Sequence, residues 1–339
     1  MGGSSYSHDA YSARAAFRVA SATPVFKHDS DVRTGKAAAA VHANLNPYNV
    51  KLRESRDSEE HATTIPIGIL LDTTGSMAEV PKIIEARLPR LMGSFLDDKA
   101  SGKRYLGDGY PAILIGAVDD YDAQIRCGYS PSASGCLQVG QFESGIEIDN
   151  DLERLWLTGH GGGTYEESYQ LGIYFFARHT AHDHFEKRGR KGYLFIIGDE
   201  HAYGTVAASE VKDVIGDTIQ ADIPLASILA EAGRLYHTFF ILPNLTQHYG
   251  DGNLRAYWMK LIGQQNVILL DDPEKVCEAI VSAVALCERH VGIADLVGDG
   301  VASGIENALV PLSASTAVAR FSADALPVID GEGGEIDRL

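Results

Sequence analysis

Between residues 65 and 290 the chain alternates short apolar runs with stretches of helical periodicity, and this alternation constrains the fold more than any other feature. The runs 65–71, 112–118, 193–198, 235–242 and 266–270 are almost continuously apolar, as strands covered on both faces require. Stretch 138–142 is shorter and alternates polar with apolar residues, which suits a sheet edge. Helical periodicity fills 77–96, 146–157, 164–179, 206–215, 225–233, 254–262 and 273–288. In the first of these, Pro81 falls in the opening turns, where proline is tolerated, whereas Pro89 is predicted to kink the helix. The expected fold class is α/β: a doubly wound, Rossmann-like, mostly parallel six-stranded sheet with one short antiparallel edge strand and helices on both faces.

The flanks read differently. Residues 1–62 mix Ser, Ala, Asp and His without sustained periodicity and are expected to form an N-terminal extension to a single α/β domain at 63–290. Within the extension, 31–43 has the makings of a short helix, Asn46-Pro47-Tyr48 signals a turn, and 51–60 alternates charge as a solvated segment or short helix does. Residues 291–339 are expected to hold one more helix near 293–309, then a mobile acidic tail carrying Asp330, Glu332, Glu335 and Asp337.

Composition narrows the partners. A net charge of -17 on 339 residues argues against nucleic acid or an anionic membrane as the main partner. No run approaches the ~20 apolar residues of a membrane span, and the first residues lack the apolar core of a signal peptide, so a soluble cytoplasmic protein is expected. Cys127, Cys136, Cys277 and Cys287 include no C-x-x-C pair and no zinc spacing; isolated thiols are expected, although Cys127 and Cys136 could flank a hairpin loop.

Chemistry concentrates where strands end. Asp72-Thr73-Thr74-Gly75-Ser76 directly follows the first apolar run and sets a carboxylate and two hydroxyls at alternate positions in a turn. Such oxygens are hard ligands, suited to a hard divalent cation. Thr164 closes the Gly161-Gly162-Gly163 loop, and Asp199 follows the run 193–198. In open parallel sheets, loops at the carboxyl ends of strands converge on one crevice.

In these three motifs the chain resembles the von Willebrand factor A-type domains with a metal-ion-dependent adhesion site. Asp72-Thr73-Thr74-Gly75-Ser76 matches the first motif of that site, Thr164 the second and Asp199 the third. The resemblance spans about residues 63–290 and implies that Ser76, Thr74 and Thr164 supply hydroxyl oxygens to a magnesium ion, with manganese or calcium as alternatives. It also implies that Asp72 and Asp199 hold the ion largely through water. The ion is then short of direct negative charge, and an Asp or Glu of a partner protein completes its shell. A metal-dependent protein-interaction module, not an enzyme, is the function implied. An AAA+ ATPase or a multi-protein assembly is the partner expected at family level.

Other readings of the same residues are weaker. A haloacid-dehalogenase-like phosphatase needs Asp-x-Asp, but the second position is Thr74, which removes the general acid. No G-x-x-x-x-G-K-[ST] loop is present. A metal-assisted hydrolase would draw its base from Glu166, Glu167, Glu200 or His201, which are read here as rim residues. Self-assembly through the acidic tail is a third possibility. Asp119, Asp120 and Asp122 are read as a solvated loop, His182-Asp183-His184 as the polar end of a helix, and Trp156 and Trp258 as core or groove aromatics.

Overall fold

The computed structural model describes residues 7–96, 105–159, 165–288 and 291–324. Its centre is a six-stranded sheet of β1 (Thr64–Asp72), β2 (Tyr110–Val118), β3 (Leu137–Val139), β4 (Gly192–Ile197), β5 (Tyr236–Pro243) and β6 (Val267–Leu270), in the order β6-β5-β4-β1-β2-β3. All pairings are parallel except that of β3 with β2. The expected architecture, with its short antiparallel edge, is therefore the observed one.

The apolar runs explain the layering. Every residue of β1 is buried, and successive side chains leave the sheet on opposite faces. Ile65, Ile67, Ile69 and Leu71 enter one core with helices Val80–Arg87, Leu91–Leu96 and Val276–Glu288. Leu70 joins the opposite core, with helices Tyr169–Arg178, Leu225–Leu235 and Gly252–Ile262. Gly68, on that second face, lies under the Phe176 ring, and a Cβ there would overlap it. Glycine thus lets the Tyr169–Arg178 helix settle close to the sheet.

The expected helix 77–96 is interrupted twice. A 3-10 turn at Gly75–Met77 is followed by Ala78 at φ 51, and the α-helix Val80–Arg87 gives way to a 3-10 turn at Leu88–Arg90. Pro89, lacking an N–H and clashing with the preceding turn, accounts for the second break.

Residues 7–62 lie against this unit. Phe26, Val41 and Leu45 are buried in the first core. Helix His8–Ser21 is tied to helix Glu147–Arg154 by the Arg18 guanidinium, which donates to Asp149 Oδ2 at 2.6 Å. Arg53–Ser55, within the stretch expected to be solvated or helical, is a strand paired in parallel with Thr180–His182. Beyond 291 the chain forms two helices, Ile293–Gly298 and Glu306–Asp324. The second extends past the single helix expected near 293–309, because Ile305, Leu309 and Leu312 are buried in the first core and hold its start. The acidic residues Asp330, Glu332, Glu335 and Asp337 lie outside the described residues.

The sequence His182-Asp183-His184, expected at the polar end of a helix, is buried: His182 ends a strand and caps the short helix Asp183–Glu186. The tryptophans meet their expectation, Trp258 stacking on Phe240 at 4.1 Å and Trp156 lying in the interior. Among the described residues no helix is long and apolar enough to cross a membrane, and the four cysteines are free thiols.

Candidate metal centre

The first strand has β2 on one side and β4 on the other, so the strand order reverses between β1 and β4. A crevice opens at the carboxyl end of such a reversal. Register fixes what lines it. Asp72 ends β1 opposite Val118, and Leu71 lies opposite Ile197. Asp119 and Asp199 therefore emerge at the same edge as Asp72.

The turn after β1 folds onto its own carboxylate. Asp72 Oδ1 accepts the Thr74 N–H at 2.8 Å and the Thr74 hydroxyl at 2.6 Å. The Ser76 hydroxyl donates to Asp199 Oδ1 at 2.7 Å, joining β1 to β4 through side chains. The Thr74 and Ser76 oxygens stand 3.0 Å apart. Each hydroxyl also contacts a carboxylate, so both oxygens stand at the mouth of one acidic cluster. From the far side, the Tyr169 hydroxyl donates to Asp72 Oδ2. The backbone N–H of His248 donates to Asp199 Oδ2 at 3.2 Å.

Asp72, Thr74, Ser76 and Asp199 are all buried and are brought together by the fold. Thr164 lies outside the described residues. Two further carboxylates were expected elsewhere. Glu167 and Glu200, read from sequence as rim residues, are only 1% and 6% exposed. The cause is a two-residue strand, Glu166–Glu167, paired with His201–Ala202. The pairing draws the loop over the crevice and turns Glu167 inward.

Asp119 and Asp120, expected in a solvated loop, are fully buried; only Asp122 is exposed. Asp119 accepts from Gln124 Nε2 at 3.0 Å and from the Thr158 hydroxyl, while Asp120 caps helix Tyr121–Arg126. Neither side chain is left for water because the turn supplies its donors.

The electrostatics are one-sided. Among the described residues no Lys or Arg pairs with Asp72, Asp119, Glu167 or Asp199; Arg126 lies 3.8 Å from Asp120 and the His248 ring 3.5 Å from Glu200. Burial, reinforced by the Asp199 charge, pushes the Asp72 carboxyl up to about 7. Burial raises Asp199 and Asp119 as well, and places Glu167 far above the ordinary carboxylate range, with Asp72 and Glu200 adding to it.

A buried cluster of this kind is stabilised by a cation. The residues fit one. Ligands at right angles in a magnesium shell, each ~2.1 Å from the ion, stand ~3.0 Å from one another. That is the spacing of the Thr74 and Ser76 oxygens. No three His, Cys, Asp or Glu side chains among the described residues converge to chelate an ion by themselves, so hydroxyls and water have to share the coordination. No ligand set here favours a soft metal.

No protein-family model matches the chain, and no curated protein does. Solved structures to which it is similar include the pilus adhesin SpaC from Lactobacillus rhamnosus GG, at 9% identity and a TM-score of 0.36, over 69% of this chain and 31% of that one. They include also a von Willebrand factor type A protein from Catenulispora acidiphila, at 14% identity and a TM-score of 0.33, over 74% of this chain and 51% of that one. The chain thus spans only part of either protein.

Sequence alone had pointed to Asp72, Thr74, Ser76 and Asp199. It missed Tyr169, Asp119 and the inward Glu167. The signal for Asp119 was its position directly after an apolar run, the same position that Asp72 holds.

Proposed function

We propose that this chain is a metal-dependent protein-interaction module of the von Willebrand A type. Asp72, Thr74, Ser76, Asp199 and Thr164 would hold a magnesium ion, with manganese or calcium as substitutes. The observation that carries this reading is the convergence of the Thr74 and Ser76 hydroxyls, 3.0 Å apart, on the buried carboxylates of Asp72 and Asp199. A hydroxyl-rich shell leaves the ion with a position occupied by exchangeable water. An Asp or Glu of a partner protein displaces that water. The ion supplies electrostatic attraction for the incoming carboxylate; the chain's own residues hold it, exclude bulk water and shape the approach.

The approach is bordered by two exposed apolar side chains, Tyr165 and Leu245, with the His248 ring 5.5 Å from that of Tyr165. Leu245 sits in the left-handed region at φ 73, in the loop whose Gln247 N–H donates to the Ser76 carbonyl at 3.0 Å. This loop and the Tyr165 segment frame the crevice with surface suited to a protein contact rather than to a small molecule.

A hydrolase would need a base poised over the crevice. His201 does not serve, since its ring packs on Tyr257 at 4.5 Å and its Nδ1 contacts the Tyr165 carbonyl. Glu167 and Glu200 do lie in the crevice, so our non-catalytic reading rests on the hydroxyl-rich ion site and its exposed border. The test is affinity capture from host lysate on the full chain, with magnesium against EDTA and with wild type against Thr164→Ala. A partner that elutes with EDTA and is lost on Thr164→Ala supports the ion-bridged mechanism; a partner indifferent to both contradicts it.

A further inference from the structure

We infer that Glu167 and Glu200 together hold a second divalent cation, next to the one at Asp72, Ser76 and Asp199. Both carboxylates are buried, yet three of their four oxygens have no hydrogen-bond partner: Glu167 Oε1, Glu167 Oε2 and Glu200 Oε2. The fourth, Glu200 Oε1, has the His248 ring at 3.5 Å, and the Glu200 carboxylate also interacts with Glu167 and with the Ser76 hydroxyl. Elsewhere in the crevice every carboxylate meets donors from the turn around it. Here the fold leaves three oxygens without one.

The two side chains are held where they are by backbone, not by their own bonding. Glu167 lies opposite Ala202 in the short parallel pair, and the Glu200 carbonyl accepts the Trp258 indole N–H at 3.0 Å. Trp258 is itself buried between Tyr169 and Phe240. A buried, unpartnered carboxylate is strongly unfavourable, and two facing the same space are more so.

A shared proton would satisfy at most two of the oxygens and would leave Glu167 beside the charges of Asp72 and Asp119, which act on it already. A cation satisfies all three. It also suits the crevice: Asp72, Asp119, Glu167, Asp199 and Glu200 are five carboxyl groups whose ionisation burial opposes, and cations restore their charged forms. The donors are carboxylate oxygens, so the ion is of the hard class, magnesium, manganese or calcium. Two carboxylates do not make a complete shell, and water would fill the remainder, as it does in many magnesium sites.

This second ion stands on Glu167 and Glu200 and does not require a partner protein. Equilibrium dialysis of the full chain against manganese, with bound metal counted by elemental analysis, tests it. Wild type is expected to hold two ions per chain. Glu167→Gln and Glu200→Gln, which keep shape while removing one charge each, are expected to hold one, with unchanged far-ultraviolet circular dichroism. Ser76→Ala removes a ligand of the first site instead and separates the two. A wild-type chain holding one ion, lost on Ser76→Ala, overturns the second site and leaves the first. A single ion lost in either glutamine variant assigns both glutamates to the first site and also overturns the second. A chain holding no ion overturns both.

Discussion

Gly198 shows how little room the crevice leaves. A Cβ at this position would overlap the Tyr169 hydroxyl and come within 3.1 Å of Asp72 Oδ2. Glycine at the end of β4 is what lets the tyrosine reach the carboxylate behind the metal-facing oxygens. Gly198→Ala is expected to push Tyr169 away and lower stability by ~1–3 kcal/mol, as overpacking of a filled interior does. Urea denaturation measures it, and an unchanged midpoint would mean that the tyrosine is not wedged there. At this scale the sequence exposed only what is contiguous. Asp72, Thr74 and Ser76 are neighbours in one turn and were visible as a pattern. Tyr169 reaches Asp72 only through a helix docked on a glycine, which leaves no local signature, and Asp119 through strand register, marked in the sequence only by its place after an apolar run.

Among elements, the strands were the more legible, because a strand covered on both faces has to be largely apolar and β1, β2, β4 and β5 are. The segment before β1 was opaque. Its anchors are single residues whose partners lie more than a hundred positions away, as Arg18 and Asp149 do. That pair is buried on both sides, with side-chain exposures of 9% and 1%. Removing the guanidinium would leave the carboxylate only the more distant Arg14, 3.7 Å from its Oδ2, and Asp149 Oδ1 has no hydrogen-bond partner. Arg18→Ala is expected to lower stability by ~3 kcal/mol, and adding Asp149→Asn to restore part of it. A double-mutant cycle read by thermal or urea unfolding checks this. Additive effects would show that helix His8–Ser21 is held by its apolar contacts instead.

For the molecule as a whole, acid stability reports on a buried site remote from the crevice. His182 and His184 are 1% and 0% exposed, and burial lowers their rings to about 4 and about 3. Unfolded histidine titrates near ~6.5, so between that value and the folded one the unfolded chain binds more protons. Above ~6.5 both states are neutral and the two residues have no effect on pH dependence. As pH falls from ~6.5 to about 4 they destabilise the fold progressively, by ~3 kcal/mol each at the limit. The raised carboxylates of the crevice work in the opposite sense, gaining protons in the folded state as pH falls, so the histidine contribution has to be isolated by substitution. His184→Leu is expected to flatten the decline in melting temperature between pH 7 and 4, and an identical slope in the two proteins would exclude the buried ring as its source.

The crevice carries the function, and its claim is that buried hydroxyls and carboxylates at the ends of β1 and β4 form a cation site. Manganese binding to the full chain, followed by the loss of its free electron paramagnetic resonance signal, tests this most directly. Wild type should bind saturably, and Ser76→Ala should weaken the tighter class of site at least ~10-fold, the equivalent of ~1.4 kcal/mol, while keeping the wild-type far-ultraviolet circular dichroism in EDTA. Equal binding by the two proteins, or none by either, would contradict the account.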